Sequence, residues 1–191
     1  MTSPTPWYEQ PWPDGDYRLF QLGFVVDDLI DAASKWARVY GIGPFHVFPR
    51  MTAPCTYRGT ETEIDMQIAT AQVGPVEIEL IHQYDDRPSV YRDLFAAAES
   101  GFHQLATVTT DYARRKAWFE EQGYEVACEF FVRGQHVGYV DTVADFGFFT
   151  ELIEDVPGFV EGLTTIARTC AEWDGTTDPV RILTKDGYRT P

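Results

Sequence analysis

A chain of 191 residues is long enough for one sizeable core, serving one domain or two small modules. Its hydrophobic fraction, 44%, is ordinary for a globular protein; aromatics at 15% favour large core side chains or an apolar ligand cavity. A formal net charge of -15 argues against nucleic acid and anionic membrane surfaces as partners, because both need Lys and Arg to meet phosphate.

Residues 1–17 are rich in Pro and Trp and carry neither an apolar nor a basic leader pattern, so they read as an arm. Residues 19–26 predict a strand, and Asp27-Asp28 opens a helix. Leu29, Ala32, Ala33, Trp36, Val39 and Tyr40 give that helix one apolar face, and Gly41 to Pro44 ends it. Strands follow at 45–48, 60–71 and 76–82, the last two meeting at Gly74-Pro75. Residues 18–82 thus form a first β-α-β-β-β module. A connector, 83–100, contains a helix that starts at Pro88-Ser89. The second module, 101–155, repeats the order: strand 104–109, helix 111–122 ended by Gly123, then strands 125–132, 137–141 and 148–153. Residues 159–173 predict a final helix, and 174–191 an irregular polar tail. No stretch approaches a membrane span. The three cysteines, Cys55, Cys128 and Cys170, are widely spaced and read as free thiols in a reducing, cytoplasmic setting.

The two modules share phrases as well as order. Phe20-Gln21-Leu22 returns as His103-Gln104-Leu105, and Glu79-Leu80-Ile81 as Glu151-Leu152-Ile153. Gln21 to Leu29, Gly41 to Phe45, Val76 to His82, Gly101 to Leu105, and Tyr139 to Asp141 followed by Phe149 to Ile153 stand in a telling sequence. Their order and spacing resemble the vicinal-oxygen-chelate superfamily, which includes glyoxalase I, bleomycin-resistance proteins, extradiol dioxygenases and methylmalonyl-CoA epimerase. Ile78 through Gln104 looks most like the epimerase branch.

That resemblance implies an α+β fold in which two tandem βαβββ modules form a U-shaped mixed sheet around one cleft, with an N-terminal arm and a C-terminal helix and tail. It places the family's metal-ligand positions at Gln21, Glu79, Gln104 and Glu151. The epimerase pattern carries His at the two Gln positions. Amide oxygens are weak donors, so an all-oxygen set would take Mg²⁺, Mn²⁺ or Ca²⁺ if it takes a metal at all. The absence of a two-His, one-carboxylate triad disfavours extradiol cleavage. With no cofactor, the two Glu would share a proton while the Gln residues bond the pair or the substrate. Asp65 aligns with the epimerase branch's second catalytic carboxylate, although Glu61, Glu63, Asp65 and Gln67 share one strand face and also fit a solvated one.

His103 is expected to point away from Gln104, since neighbours on a strand face opposite ways. His82 and His103 therefore read as structural, and His136 as a surface residue. Trp36 and Trp118 read as core. Tyr139 and Phe149 are expected to contact substrate in the cleft, and Arg50 and Arg58 are candidates for an anionic group. The expected activity is proton transfer next to a carbonyl (epimerase, isomerase or lyase) on a hydrophobic small molecule, aromatic ones included. Glu151, Glu79 and Asp65 would be catalytic, and Gln21, Gln104, Tyr139 and Phe149 would bind substrate. The protein would be a homodimer without nucleic-acid or membrane partners. The alternative is a non-catalytic drug- or metabolite-binding protein of the same fold.

Overall fold

The computed structural model describes residues 18–191, so the predicted arm lies outside the described residues. The chain opens with β1 (Arg18–Val25) and α1 (Leu29–Tyr40), then β2 (Phe45–Val47), β3 (Met51–Tyr57), β4 (Thr60–Val73) and β5 (Val76–Gln83). A short helix, α2 (Val90–Leu94), leads to β6 (Gly101–Thr109), α3 (Tyr112–Glu121), β7 (Val126–Val132) and β8 (Gln135–Val140). After α4 (Val143–Phe146) come β9 (Phe149–Glu154), α5 (Phe159–Ala171), β10 (Val180–Thr184) and β11 (Gly187–Arg189). No helix among the described residues is long and apolar enough to cross a membrane.

Corresponding local signals start the two longer helices of the repeat. The Asp28 carboxylate accepts from Asp31 N–H at 2.9 Å, and Asp111 accepts from Arg114 N–H at 3.0 Å. Each satisfies a backbone donor that the first helical turn leaves free. Gly41, at φ 67°, ends α1 in the left-handed conformation that favours glycine.

All strands among the described residues belong to one mixed 11-stranded sheet. The long β4 pairs along its first half with β3 and along its second half with β5, while β2 joins it at Ala69 and Thr70. Pairings β3–β7, β7–β8, β8–β9, β9–β6, β6–β1 and β1–β5 then return the sheet to β4. The expected U with an open cleft is therefore replaced by a closed circuit. Closure occurs where Cys55, Thr56 and Tyr57 meet Phe130, Glu129 and Cys128. Arg58, just beyond β3, reinforces that seam. Its N–H donates to Ala127 O at 2.7 Å, and its guanidinium reaches Asp93, Glu125 and Asp141.

Apolar side chains line much of the circuit's interior. Val25, Ala53, Cys55, Ile64, Ile81, Cys128, Phe130, Tyr139 and Phe149 converge there, joined by Val90 and Tyr91 from α2. On the outside, α1 covers Ala69, Ala71, Ile78 and Leu80, whereas α3 covers Val140 and Leu152. Burying each large apolar side chain contributes about 1.5–3 kcal/mol, and these clusters hold the strands in register.

Three further expectations change. β3 escapes prediction because Pro54 lies within it, and proline signals a break in a strand. The tail is not irregular: β10 pairs in parallel with β2, and β11 folds back on β10. Trp118 is not core, since 46% of it is exposed beside Phe119.

Tyr91 is 2% exposed, and its hydroxyl lies 3.0 Å from that of Tyr139. Tyr91→Ala should therefore cost about 3–5 kcal/mol of stability, as large aromatic truncations in cores do. Urea unfolding measures this; a loss below about 1 kcal/mol would mean that α2 is not part of the core.

Candidate active site

The repeat is visible in the strand register. In the β1–β5 ladder Gln21 lies beside Glu77 and Gly23 beside Glu79. In the β6–β9 ladder Gln104 lies beside Phe149 and Ala106 beside Glu151. Antiparallel pairing of β1 with β6 brings the halves together symmetrically: Gln21 faces Ala106, Leu22 faces Leu105, and Gly23 faces Gln104.

The same ladder slips between Leu19 and Gln21 and again between Gly23 and Phe24. The extra residues are Phe20 in β1 and His103 in β6, which are themselves repeat partners. A bulge breaks the alternation of side chains. His103 and Gln104 consequently share the interior, which corrects the expectation that they face apart. His103 is fully buried, stacks on Phe149, and is bonded through Nδ1 to Gln104 Oε1 and through Nε2 to the Val90 carbonyl at 3.0 Å. Burial lowers its pKa.

Gln104 sits between the two repeat-related carboxyls. Its Nε2 donates to Glu79 Oε2 at 3.1 Å and to Glu151 Oε2 at 3.4 Å. Gly23 makes this possible: a Cβ at that position would collide with the Gln104 amide. Burial pushes the Glu151 carboxyl up to about 7. Burial, together with the charges of Glu151 and Glu77, holds Glu79 well above the usual carboxylate range. Glu151 stands opposite Tyr139, which is 3% exposed, and burial raises that phenol's pKa as well.

A third carboxyl belongs to this interior and was not expected. Glu77 is 2% exposed and accepts from Gln21 Nε2 at 2.7 Å. Burial pushes it up to about 7. The signal was its two-residue spacing from Glu79, which puts both on one face of a strand; the repeat hid it, because Phe149 occupies the matching position.

The structure thus brings together Gln21, Glu79, Gln104, Tyr139, Phe149 and Glu151. Asp65 is not among them. It pairs with Arg50, whose guanidinium holds its carboxyl below the ordinary value, while neighbouring Glu63 and Gln67 bond Arg87 and Tyr84. These partners mark the solvated strand face. Arg58 is likewise engaged by three carboxylates. His82 bonds the Val26 carbonyl, and His136, only partly buried, stacks on Tyr112.

The glyoxalase/bleomycin resistance protein/dioxygenase superfamily model matches residues 20–140, which contain both halves of the β1–β6 ladder. The chain belongs to that superfamily. No curated protein matches the sequence. Among solved structures, it is similar to methylmalonyl-CoA epimerase from Mycobacterium tuberculosis at 15% identity, covering 81% of this chain and 98% of that one, with a TM-score of 0.52. A hypothetical protein from Bacillus halodurans C-125 is 16% identical over 73% and 95% of the two chains, TM-score 0.52. A Streptomyces coelicolor methylmalonyl-CoA epimerase variant in complex with 2-nitronate-propionyl-CoA is 18% identical over 75% and 97%, TM-score 0.52. Likeness at this identity establishes the shared fold.

Members of the glyoxalase superfamily typically hold a divalent metal, and the residues here do not fit one. Gln104 turns a donor, not an oxygen, toward Glu79 and Glu151, and Gln21 turns a donor toward Glu77. Among the described residues no group of three or more His, Cys, Asp or Glu is arranged to hold a metal ion. What the arrangement offers is carboxyls that hold protons near neutral pH.

Two outcomes follow. Gly23→Ala should displace Gln104 from the carboxyls and cost about 1–3 kcal/mol, read by urea unfolding; a neutral substitution would mean the amide bridge is dispensable. Thermal stability should also fall as pH rises from about 5 to about 8. The folded pKa of Glu77, about 7, exceeds its ordinary value of 4.5, so its stabilising contribution is complete below 4.5 and lost as pH passes through 7. Glu77→Gln should flatten that slope, and an unchanged slope would locate the titration elsewhere.

Proposed function

We propose that the chain is a small-molecule enzyme that moves a proton next to a carbonyl, as an epimerase, isomerase or lyase. The observation that carries this reading is the buried pair Glu79 and Glu151, repeat-related and bridged by one amide. A carboxyl titrating near neutrality can take a proton from carbon and return it. In this reading Glu151 and Glu79 are the acid and base. Gln21 and Gln104 orient the substrate oxygen, and Tyr139 and Phe149 supply a phenol and an apolar wall. Similarity to methylmalonyl-CoA epimerases supports the reaction type. A CoA ester is disfavoured as substrate because Arg50 and Arg58, the candidates for its phosphates, are already paired with carboxylates. The apolar interior instead favours a hydrophobic substrate. Three thiols without a disulfide support a cytoplasmic setting; a homodimer accompanies this reading.

A second reading, sequestration without catalysis, draws support from the two Gln residues that replace the epimerase-branch His positions. Proton exchange separates the two. Propiophenone, an aromatic ketone with exchangeable α-hydrogens, should take up deuterium from ²H₂O in the presence of the protein, and Glu151→Gln should slow that uptake by about 10²–10⁴-fold. Binding without exchange, at an affinity unchanged in Glu151→Gln, would favour sequestration.

A further inference from the structure

Glu77, Glu79 and Glu151 share one interior, and each is at most 8% exposed. None of the ion pairs formed among the described residues reaches them. A buried carboxyl without a cation is costly whether it ionises or keeps a proton.

The polar groups around Glu77 are also incompletely bonded. Gln21 Oε1 and Glu77 Oε2, the two outer atoms of the Gln21–Glu77 hydrogen-bonded pair, are buried without a partner. Thr70 Oγ1 is also unpartnered; Thr70 is 4% exposed and lies opposite Glu79 in the β4–β5 ladder, which directs both to one face. Gln21 Oε1 and an ionised Glu77 can only accept, whereas the Thr70 hydroxyl and the unpartnered His46 Nδ1 facing it across β2–β4 can accept or donate. An anion is repelled by such a set. A neutral hydroxyl offers one donor where Gln21 Oε1 and Glu77 Oε2 each need one. A primary ammonium offers three donors and the missing charge.

We propose that the Gln21–Glu77–Thr70 end of the interior binds the protonated amine of a small primary-amine ligand. This deepens the proton-transfer reading and rests on it for where the rest of the substrate lies: the amine anchors at Glu77, and the reacting carbon is presented to Glu79 and Glu151. The asymmetry of the repeat agrees. Only the first half carries this acid, and the matching position in the second half is the apolar Phe149.

Methylammonium chloride is the probe. Thermal unfolding is followed as its concentration rises, against sodium chloride at equal ionic strength and methanol at equal concentration. The expected result is a saturable rise of a few degrees with methylammonium alone, abolished in both Glu77→Gln and Gln21→Leu. A wild-type response no greater than that to sodium, or a rise retained by either variant, overturns the proposal; the wild-type comparison stands even if a variant fails to fold. Deuterium uptake into propiophenone is scored separately. A flat methylammonium titration beside intact exchange removes the amine site and leaves the catalytic reading. Bound methylammonium without exchange does the reverse.

Discussion

The antiparallel pairing of β1 with β6 is the constraint on which the rest of the structure depends. Leu22 opposite Leu105 sets a register in which each half of the repeat presents the same polar positions to the same interior. Gln104 then reaches past Gly23 to Glu79 as well as to Glu151. A one-residue slip would turn these side chains to the outer face, where α1 and α3 pack on apolar residues. The outer packing thus fixes the inner polar register.

What that register creates is electrostatically expensive. Three carboxyls lie in a sheet interior otherwise lined by Tyr91, Phe130, Tyr139 and Phe149. Low polarity raises their proton affinity, and mutual repulsion raises it further. A divalent metal, which members of the superfamily typically hold, would relieve such crowding. Here the residues that would complete a metal site in the epimerase pattern are amides, and their nitrogens face the carboxyls. The relief is a set of protons and amide hydrogen bonds. Such an environment brings a carboxyl toward the range in which a general acid or base works near neutral pH.

Much of the fold was legible because local signals and the repeat agreed. Asp28 and Asp111 cap the helices that their positions announced, and Glu79 and Glu151 occupy matching places on β5 and β9. The failures have physical causes. Pro54 disguised β3, and with it the strand that closes the circuit onto β7. The bulge at His103 overrode simple alternation, a feature of pairing that one strand's sequence does not declare. Asp65 fits a family pattern, yet its strand parity gives it to Arg50. Glu77 was missed because attention to matched positions passes over a residue whose counterpart is Phe149.

Glu79 and Glu151 keep their protons inside this interior above the pH at which ordinary carboxyls lose them. Infrared spectroscopy at about pH 6, between the ordinary 4.5 and the raised value of about 7, reads this directly through the C=O stretch of a protonated carboxyl, which an ionised carboxylate lacks. The native protein should show such a band, shifted in ²H₂O and diminished in both Glu79→Gln and Glu151→Gln. A native protein with no protonated-carboxyl band, or one whose band is unaffected by either substitution, would contradict it.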